Sequence, residues 1–195
     1  MTRLFSACKI AGFSVVMATA AWGQAASRGD SVFWGELQKL CGKAYAGTVA
    51  AAPADDTTFK GKALVMHVRS CEKNRIRIPF VVGDDRSRTW VLTWKNGRIE
   101  LRHDHRHADG KPDAVTMYGG WTTSVGMPTR QMFPADDQTV KVIAAAATNV
   151  WWIDLTPADL FSYNLRRMGS ERYFSIKFDL KNAVAPPQAP WGWKE

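Results

Sequence analysis

An Asn-Gly pair at positions 96 and 97 stands between two alternating runs, 89–94 and 98–107. Asn-Gly suits the left-handed positions of a type I′ turn, whose twist matches two antiparallel strands, so it predicts a tight hairpin of defined register. With Asn96 and Gly97 as the loop, Lys95 faces Arg98, Trp94 faces Ile99, Leu92 faces Leu101, Trp90 faces His103 and Arg88 faces His105. Strand alternation then places Ile99, Leu101, His103, His105 and His107 on one face, with Glu100, Arg102, Asp104 and Arg106 on the other. The first face begins apolar and ends in imidazole, as a strand would that runs from a core into the mouth of a cavity. The second reads as solvated surface, where removing Arg102 is expected to change stability by no more than about 0.5 kcal/mol.

Similar short alternating runs punctuated by turn residues continue along the chain. Strands are expected over 44–49, 62–70, 75–82, 114–118, 129–133, 149–155, 160–167 and 172–180. Val32, Phe33, Glu36, Leu37 and Leu40 fall at helical spacing behind Ser31 as a cap, and Gly42 supplies a stop. A second helix is expected near 135–147, where Asp136 and Asp137 precede Lys141 in the order that suits the helix dipole. With turns rather than crossover helices between neighbouring strands, the expected fold is all-β and mainly antiparallel. It is an up-and-down barrel of about 8–10 strands, with a short N-terminal helix and one inserted helix. The length of 195 residues fits one such domain over 24–185, and the Pro- and Trp-rich tail over 186–195 cannot continue a strand and is expected across the outside of the barrel or mobile.

The first 23 residues read differently: Arg3 and Lys9 flank an apolar run too short to span a bilayer, and Ala21-Trp22-Gly23 fits a cleavage site before Gln24. This is the pattern of a secretory signal, and it predicts a periplasmic or secreted protein. Cys8 leaves with the signal, so Cys41 and Cys71 are the pair that remains, and in an exported protein a disulfide is the expected state. Arg3 and Lys9 leave too, and the formal charge of +8 falls to about +6, which favours an anionic envelope surface such as lipid headgroups. Nucleic acid is not an expected partner of an exported chain that carries no matching motif.

Three readings of the histidine strand stand side by side. Neutral imidazoles are ligands for zinc or copper, and His103 and His105, about 6.7 Å apart along a strand, can share one ion. A third ligand would come from His67, Asp84, Asp85 or Asp109, giving a metal-binding protein or a metal-dependent hydrolase. Against this, Arg88 faces His105 and Arg86 would follow opposite His107, and cations repel a cation. The same set suits an anion: Arg86, Arg88, His103, His105 and His107, with Trp90 alongside, make a polar end for a small anionic or amphiphilic ligand. In the third reading the histidines are half-solvated rim residues paired with Asp104 or Asp109. No G-x-S-x-G, HExxH or P-loop occurs, and alternation puts Asp104 on the face opposite His105, so a binding role is expected before a catalytic one.

Two resemblances accompany these readings. The opening F-W-G-E-L-x-x-L-C-G-x-x-x-x-G, Phe33 to Gly47, resembles the start of lipocalin-type (calycin) barrels, where a short helix feeds a glycine-flanked first strand. The blocks L-C-G-K-A-Y-A-G from Leu40, I-P-F-V-V-G-D-D-R-S-R-T-W from Ile78, R-H-D-H-R-H-A-D-G from Arg102 and A-P-W-G from Ala189 are similar to a group of exported proteobacterial proteins. Neither resemblance brings an activity or a site residue with it.

Overall fold

The computed structural model describes residues 28–194, so the signal segment over 1–23 lies outside the described residues. The chain folds as an antiparallel meander that wraps into a nearly closed, lipocalin-like barrel. Its strands are β1 (Ala44–Ala51), β2 (Leu64–His67), β3 (Ser70–Glu72), β4 (Arg75–Val82), β5 (Asp85–Lys95) and β6 (Arg98–His105). They continue with β7 (Tyr118–Trp121), β8 (Arg130–Pro134), β9 (Asn149–Thr156), β10 (Leu160–Arg167) and β11 (Tyr173–Val184). The strand order is β7-β6-β5-β4-β2-β1-β11-β10-β9-β8, with β3 paired to β4, so a single seam between β7 and β8 interrupts the ladder.

The β5–β6 hairpin has the register that Asn-Gly predicts, from Lys95 opposite Arg98 to Arg88 opposite His105, and Asn96 and Gly97 both take positive φ. Helix α1 (Gly29–Gln38) plugs the end of the barrel where this hairpin turns, burying Phe33, Trp34 and Leu37. The helix starts earlier than Ser31. Asp30, fully buried, accepts from the Ser31 N–H and from Arg28, and Arg28 also donates to the Gly97 carbonyl at 3.0 Å, tying helix to hairpin. Trp34 donates its indole N–H to the Lys73 carbonyl and packs on Trp94. A disulfide joins Cys41, just past the helix, to Cys71 in β3 across 30 residues, with Cα atoms 6.2 Å apart.

Four expectations change. The run over 62–70 breaks into β2 and β3, because Val68 exchanges hydrogen bonds with Gly42 and Lys43 at the helix end instead of staying in the ladder. The strand expected over 114–118 lies further on, over Tyr118–Trp121, and it carries two glycines for a steric reason. A Cβ on Gly119 would strike the Leu101 carbonyl, and one on Gly120 would strike the Pro134 carbonyl across the seam. Arg102 is not a solvated surface residue. It is 5% exposed, pairs with Glu100, and makes a two-pronged pair with Asp136, which caps helix α2 (Asp137–Val142) beyond the seam. The expected helix near 135–147 is thus shorter, and a 3₁₀ turn at Ala144–Ala146 follows it.

Inward side chains make one apolar core. At mid-height Trp90 stacks between Phe80 and Tyr163, with ring centroids 4.8 and 4.4 Å away. Many outward positions are polar, as with Thr89, Thr93, Asp154, Ser162, Lys177 and Asp179, and others are apolar, as with Val91, Met132 and Trp152, which stacks on Tyr173. Among the described residues no helix is long and apolar enough to cross a membrane. The tail lies along the outside: Trp191 donates to the Arg86 carbonyl, and the Arg69 guanidinium sits 5.0 Å from the Trp193 ring centre.

Two measurements follow. Alkylation of the native protein labels neither Cys41 nor Cys71 until a reductant is added, and reduction lowers the unfolding free energy by about 3–4 kcal/mol in the chain-entropy model. In urea unfolding, Leu101→Ala costs about 2–5 kcal/mol. Arg102→Ala costs about 3–5 kcal/mol, because it leaves Asp136 and Glu100 half-buried without their partner. Lys95→Ala stays within about 0.5 kcal/mol.

Candidate functional site

The end of the barrel opposite α1 is open. There the core stops short of the rim and leaves a cavity of about 280 Å³. Trp151, Tyr163, Leu165 and Phe174 from β9, β10 and β11 form its apolar wall, and Ile143 and Ala146 from the α2 segment close one side. Phe59 reaches over from the loop of 52–63 and meets Phe174 edge-on, with centroids 5.5 Å apart. Asp56 fixes that loop by accepting the backbone N–H groups of Thr58, Phe59 and Lys60. The polar lining is Thr58, Arg88, His105, Tyr118, Asn149, Arg167 and Arg172, and among the described residues no carboxylate lines the cavity. A smaller chamber of about 60 Å³ extends downward past Arg88 and His105 to Trp90 and His103.

The hairpin register carries His103 and His105 inward, and their surroundings then separate their roles. His103 is 4% exposed; its Nδ1 lies 3.0 Å from the Tyr118 carbonyl and its Nε2 2.7 Å from the Tyr163 hydroxyl. A carbonyl only accepts, so Nδ1 carries the proton, and Nε2 accepts from Tyr163. Both nitrogens are occupied and neither is free for a metal. Burial holds the His103 pKa down to about 3, so the ring is neutral. His105 shares a 3.1 Å hydrogen bond with the Tyr118 hydroxyl, and burial first and Arg88 second lower its pKa as well. The Tyr118 hydroxyl is pushed up to about 12 by burial and stays protonated.

The other expected site residues disperse. Trp90 lines the small chamber and not the main cavity. Arg86 is turned to the tail, donating to the Ala189 carbonyl at 3.1 Å. The β6 strand ends at His105, and Arg106 pairs with Pro112 in an isolated bridge, so His107 is carried out into an exposed loop. Among the proposed third metal ligands, Asp85 pairs with Arg88 and Asp109 with Lys111. Asp84 is exposed in the β4–β5 turn, and His67 is buried beside Ala44 at the α1 end. Among the described residues no group of three or more His, Cys, Asp or Glu is placed to hold a metal ion. Neither inward histidine is hydrogen-bonded to a carboxylate, since Asp104 pairs outside with Arg106 and Thr116.

The sequence reading missed Arg167, Arg172, Asn149, Tyr118 and Tyr163. Alternation in β10 pointed Phe161, Tyr163 and Leu165 inward, which was a usable signal for Tyr163. Arg167 ends β10 in step with Phe161, Tyr163 and Leu165, and Arg172 precedes β11 in step with Phe174, Ile176 and Phe178, so alternation over 160–167 and 172–180 was a usable signal for both. Arg167 is held by Asn149, whose side-chain oxygen accepts from its Nε at 3.0 Å, and the Arg172 guanidinium lies 5.0 Å from the centre of the Phe174 ring. Comparison of the chain with models of protein families, with curated proteins and with solved structures found no match.

The histidines make stability fall in acid. In the folded state His103 takes its proton only near pH 3, whereas the unfolded ring takes it near 6.5. Between those values the unfolded chain binds more protons, so its contribution is intact above the unfolded pKa and is lost at about 1.4 kcal/mol per pH unit as the pH falls toward 3. The lowered pKa values of His105 and His67 add in the same direction. Urea unfolding at a series of pH values between 7 and 4 shows this slope, and His103→Gln makes it shallower.

Proposed function

We propose that this protein is an exported β-barrel that binds a small anionic or amphiphilic ligand in its open mouth, with the anionic group on arginine and the apolar part against the aromatic wall. One observation carries the reading: a concave, largely apolar cavity lined by three arginines and, among the described residues, by no carboxylate. Guanidinium groups beside low-dielectric walls favour an anion, and pairing with carboxylate or phosphate is the interaction that their forked geometry suits. The volume, at the small end of the usual ligand range, matches one ring or a short acyl chain better than a full lipid. Export is supported by the signal-like start of the chain and by the Cys41–Cys71 bridge. The histidines serve this site as uncharged donors and acceptors, and the arginines supply its charge.

Displacement of a fluorescent anilinonaphthalene sulfonate by straight-chain carboxylates and by the alcohols of the same length tests the reading. The carboxylates compete and the alcohols do so weakly. Arg172→Met or Arg88→Met lowers carboxylate affinity about tenfold to a hundredfold, the range for a lost hydrogen bond to a charged group. Affinity stays level from pH 7 to about 8.5, because the cations are guanidiniums. Equal competition by alcohols, or arginine variants that bind as the parent does, would refute the anion site.

A further inference from the structure

The rim of the mouth carries exposed apolar side chains directly beside the residues that line the cavity. Met117 is 37% exposed next to lining Tyr118, Val142 is 37% exposed next to lining Ile143, and Met168 is 58% exposed next to lining Arg167. They belong to one arc. The Met117 carbonyl accepts from Gln138 in α2, and the turn after β10 bonds back to Thr148 just before β9, the Met168 N–H donating to the Thr148 carbonyl. Met117 also holds φ at +54°, a backbone state that is unfavourable for a long side chain, while its N–H donates to the His103 carbonyl at 2.7 Å. An outlier of that kind, displaying methionine to solvent, is expected where the displayed side chain is used. Lys141, Arg166, Arg167 and Arg172 lie along the same arc, outnumbering Asp113, Asp137 and Glu171.

We propose that this arc docks on an anionic lipid bilayer and presents the cavity to it, an inference that rests on reading the cavity as a site for an anionic amphiphile. A ligand with an apolar part concentrates in membranes, and a mouth that meets the bilayer takes it up without a passage through water. Methionine and valine tips enter the headgroup boundary, and each basic side chain near the surface adds attraction that salt weakens. A second group of exposed apolar residues, Val125, Met127 and Met132, lines a separate pocket at the α1 end, whose one arginine, Arg130, is paired with Asp154. It provides the control.

The test is sedimentation of the mature protein with vesicles of phosphatidylcholine, alone or with a third of phosphatidylglycerol, alongside the fluorescent-sulfonate assay on the same preparations. The parent protein partitions onto the anionic vesicles, and less so at high salt. Met117→Asn combined with Met168→Ser reduces that partitioning about tenfold or more. Asparagine tolerates the left-handed backbone, and neither change touches the cavity, so sulfonate binding in solution is kept. Arg166→Gln costs about fivefold, and Met127→Ser leaves partitioning unchanged. Absence of binding to anionic vesicles, or equal losses from Met127→Ser and Met168→Ser, overturns the docking surface. Sulfonate binding without vesicle binding removes the docking surface alone, whereas vesicle binding through the arc without sulfonate binding supports docking and removes the cavity reading.

Discussion

Because β7 and β8 share no ladder, the pairing of Arg102 with Asp136 holds the two ends of an eleven-stranded sheet against each other. Arg102 projects from the outer face of β6, one strand in from the seam beyond which Asp136 lies, and its side chain is only 6% exposed. Asp136 simultaneously accepts the Thr139 N–H at the start of α2, and the Thr139 hydroxyl bridges to the Gly119 backbone on β7. Burial disfavours the Asp136 carboxylate, yet Arg102 and Thr139 together keep its pKa below the ordinary range. A buried ion pair of this kind adds little over a well-packed apolar substitute, but losing one partner is costly, so its effect is to fix one arrangement. The arrangement reaches the cavity, since α2 carries Ile143 and Ala146 to the mouth.

Charge is graded along the barrel axis. At the α1 end the interior is Phe33, Trp34 and Leu37, and at mid-height it is the stack of Phe80, Trp90 and Tyr163. Asp30, buried at the α1 end, is paired with Arg28. Above the aromatic stack come His103 and Tyr163, both uncharged and hydrogen-bonded to each other, and at the mouth Arg88, Arg167 and Arg172 bring full charge where solvent can reach. A protonated His103 would place an unpaired cation in the apolar layer, which is why burial lowers its pKa so far. The uncharged ring lets the floor of the cavity be polar without opposing the packing beneath it.

How much of this was legible depends on the range of the interaction responsible. Asn96-Gly97 acts locally, so the hairpin, its register and the inward direction of Leu101, His103 and His105 were readable from the chain. Cys41 and Cys71 were readable because few cysteines remain to pair. The outward turn of Arg86 was not, because it depends on Ala189 and Trp191 more than a hundred residues away. His107 leaves the face because the strand ends early, and strand ends are set by loop contacts that alternation does not encode. Arg102 lies on the face that alternation calls solvated, and only the fold brings Asp136 over it. Gly119 and Gly120 fell past the end of the strand expected over 114–118, since a glycine required by close backbone approach is indistinguishable in sequence from one required by a turn. The cationic lining escaped because alternation gives Arg167 and Arg172 an inward face but not a place at the mouth, which is a property of the closed barrel.

The distribution of stabilising contacts also separates holding the fold from using it. The disulfide, the α1 plug, Trp34 on Trp94 and the Arg28 link to Gly97 all lie at one end. The mouth is bordered by the loop of 52–63, the short α2 segment and two turns, and Asp56 and Asp136 are the carboxylates that fasten two of these pieces. Elements fastened by a few side-chain hydrogen bonds open at lower free energy than a disulfide-linked core. The opening between Phe59 and the α2 segment is therefore bordered by weakly held parts, while the register that aims Arg88 and His105 is set in the rigid sheet. Under the binding role proposed above, an aromatic wall kept still beside a rim that yields divides the labour, because pre-ordered contacts retain affinity and the yielding rim governs access.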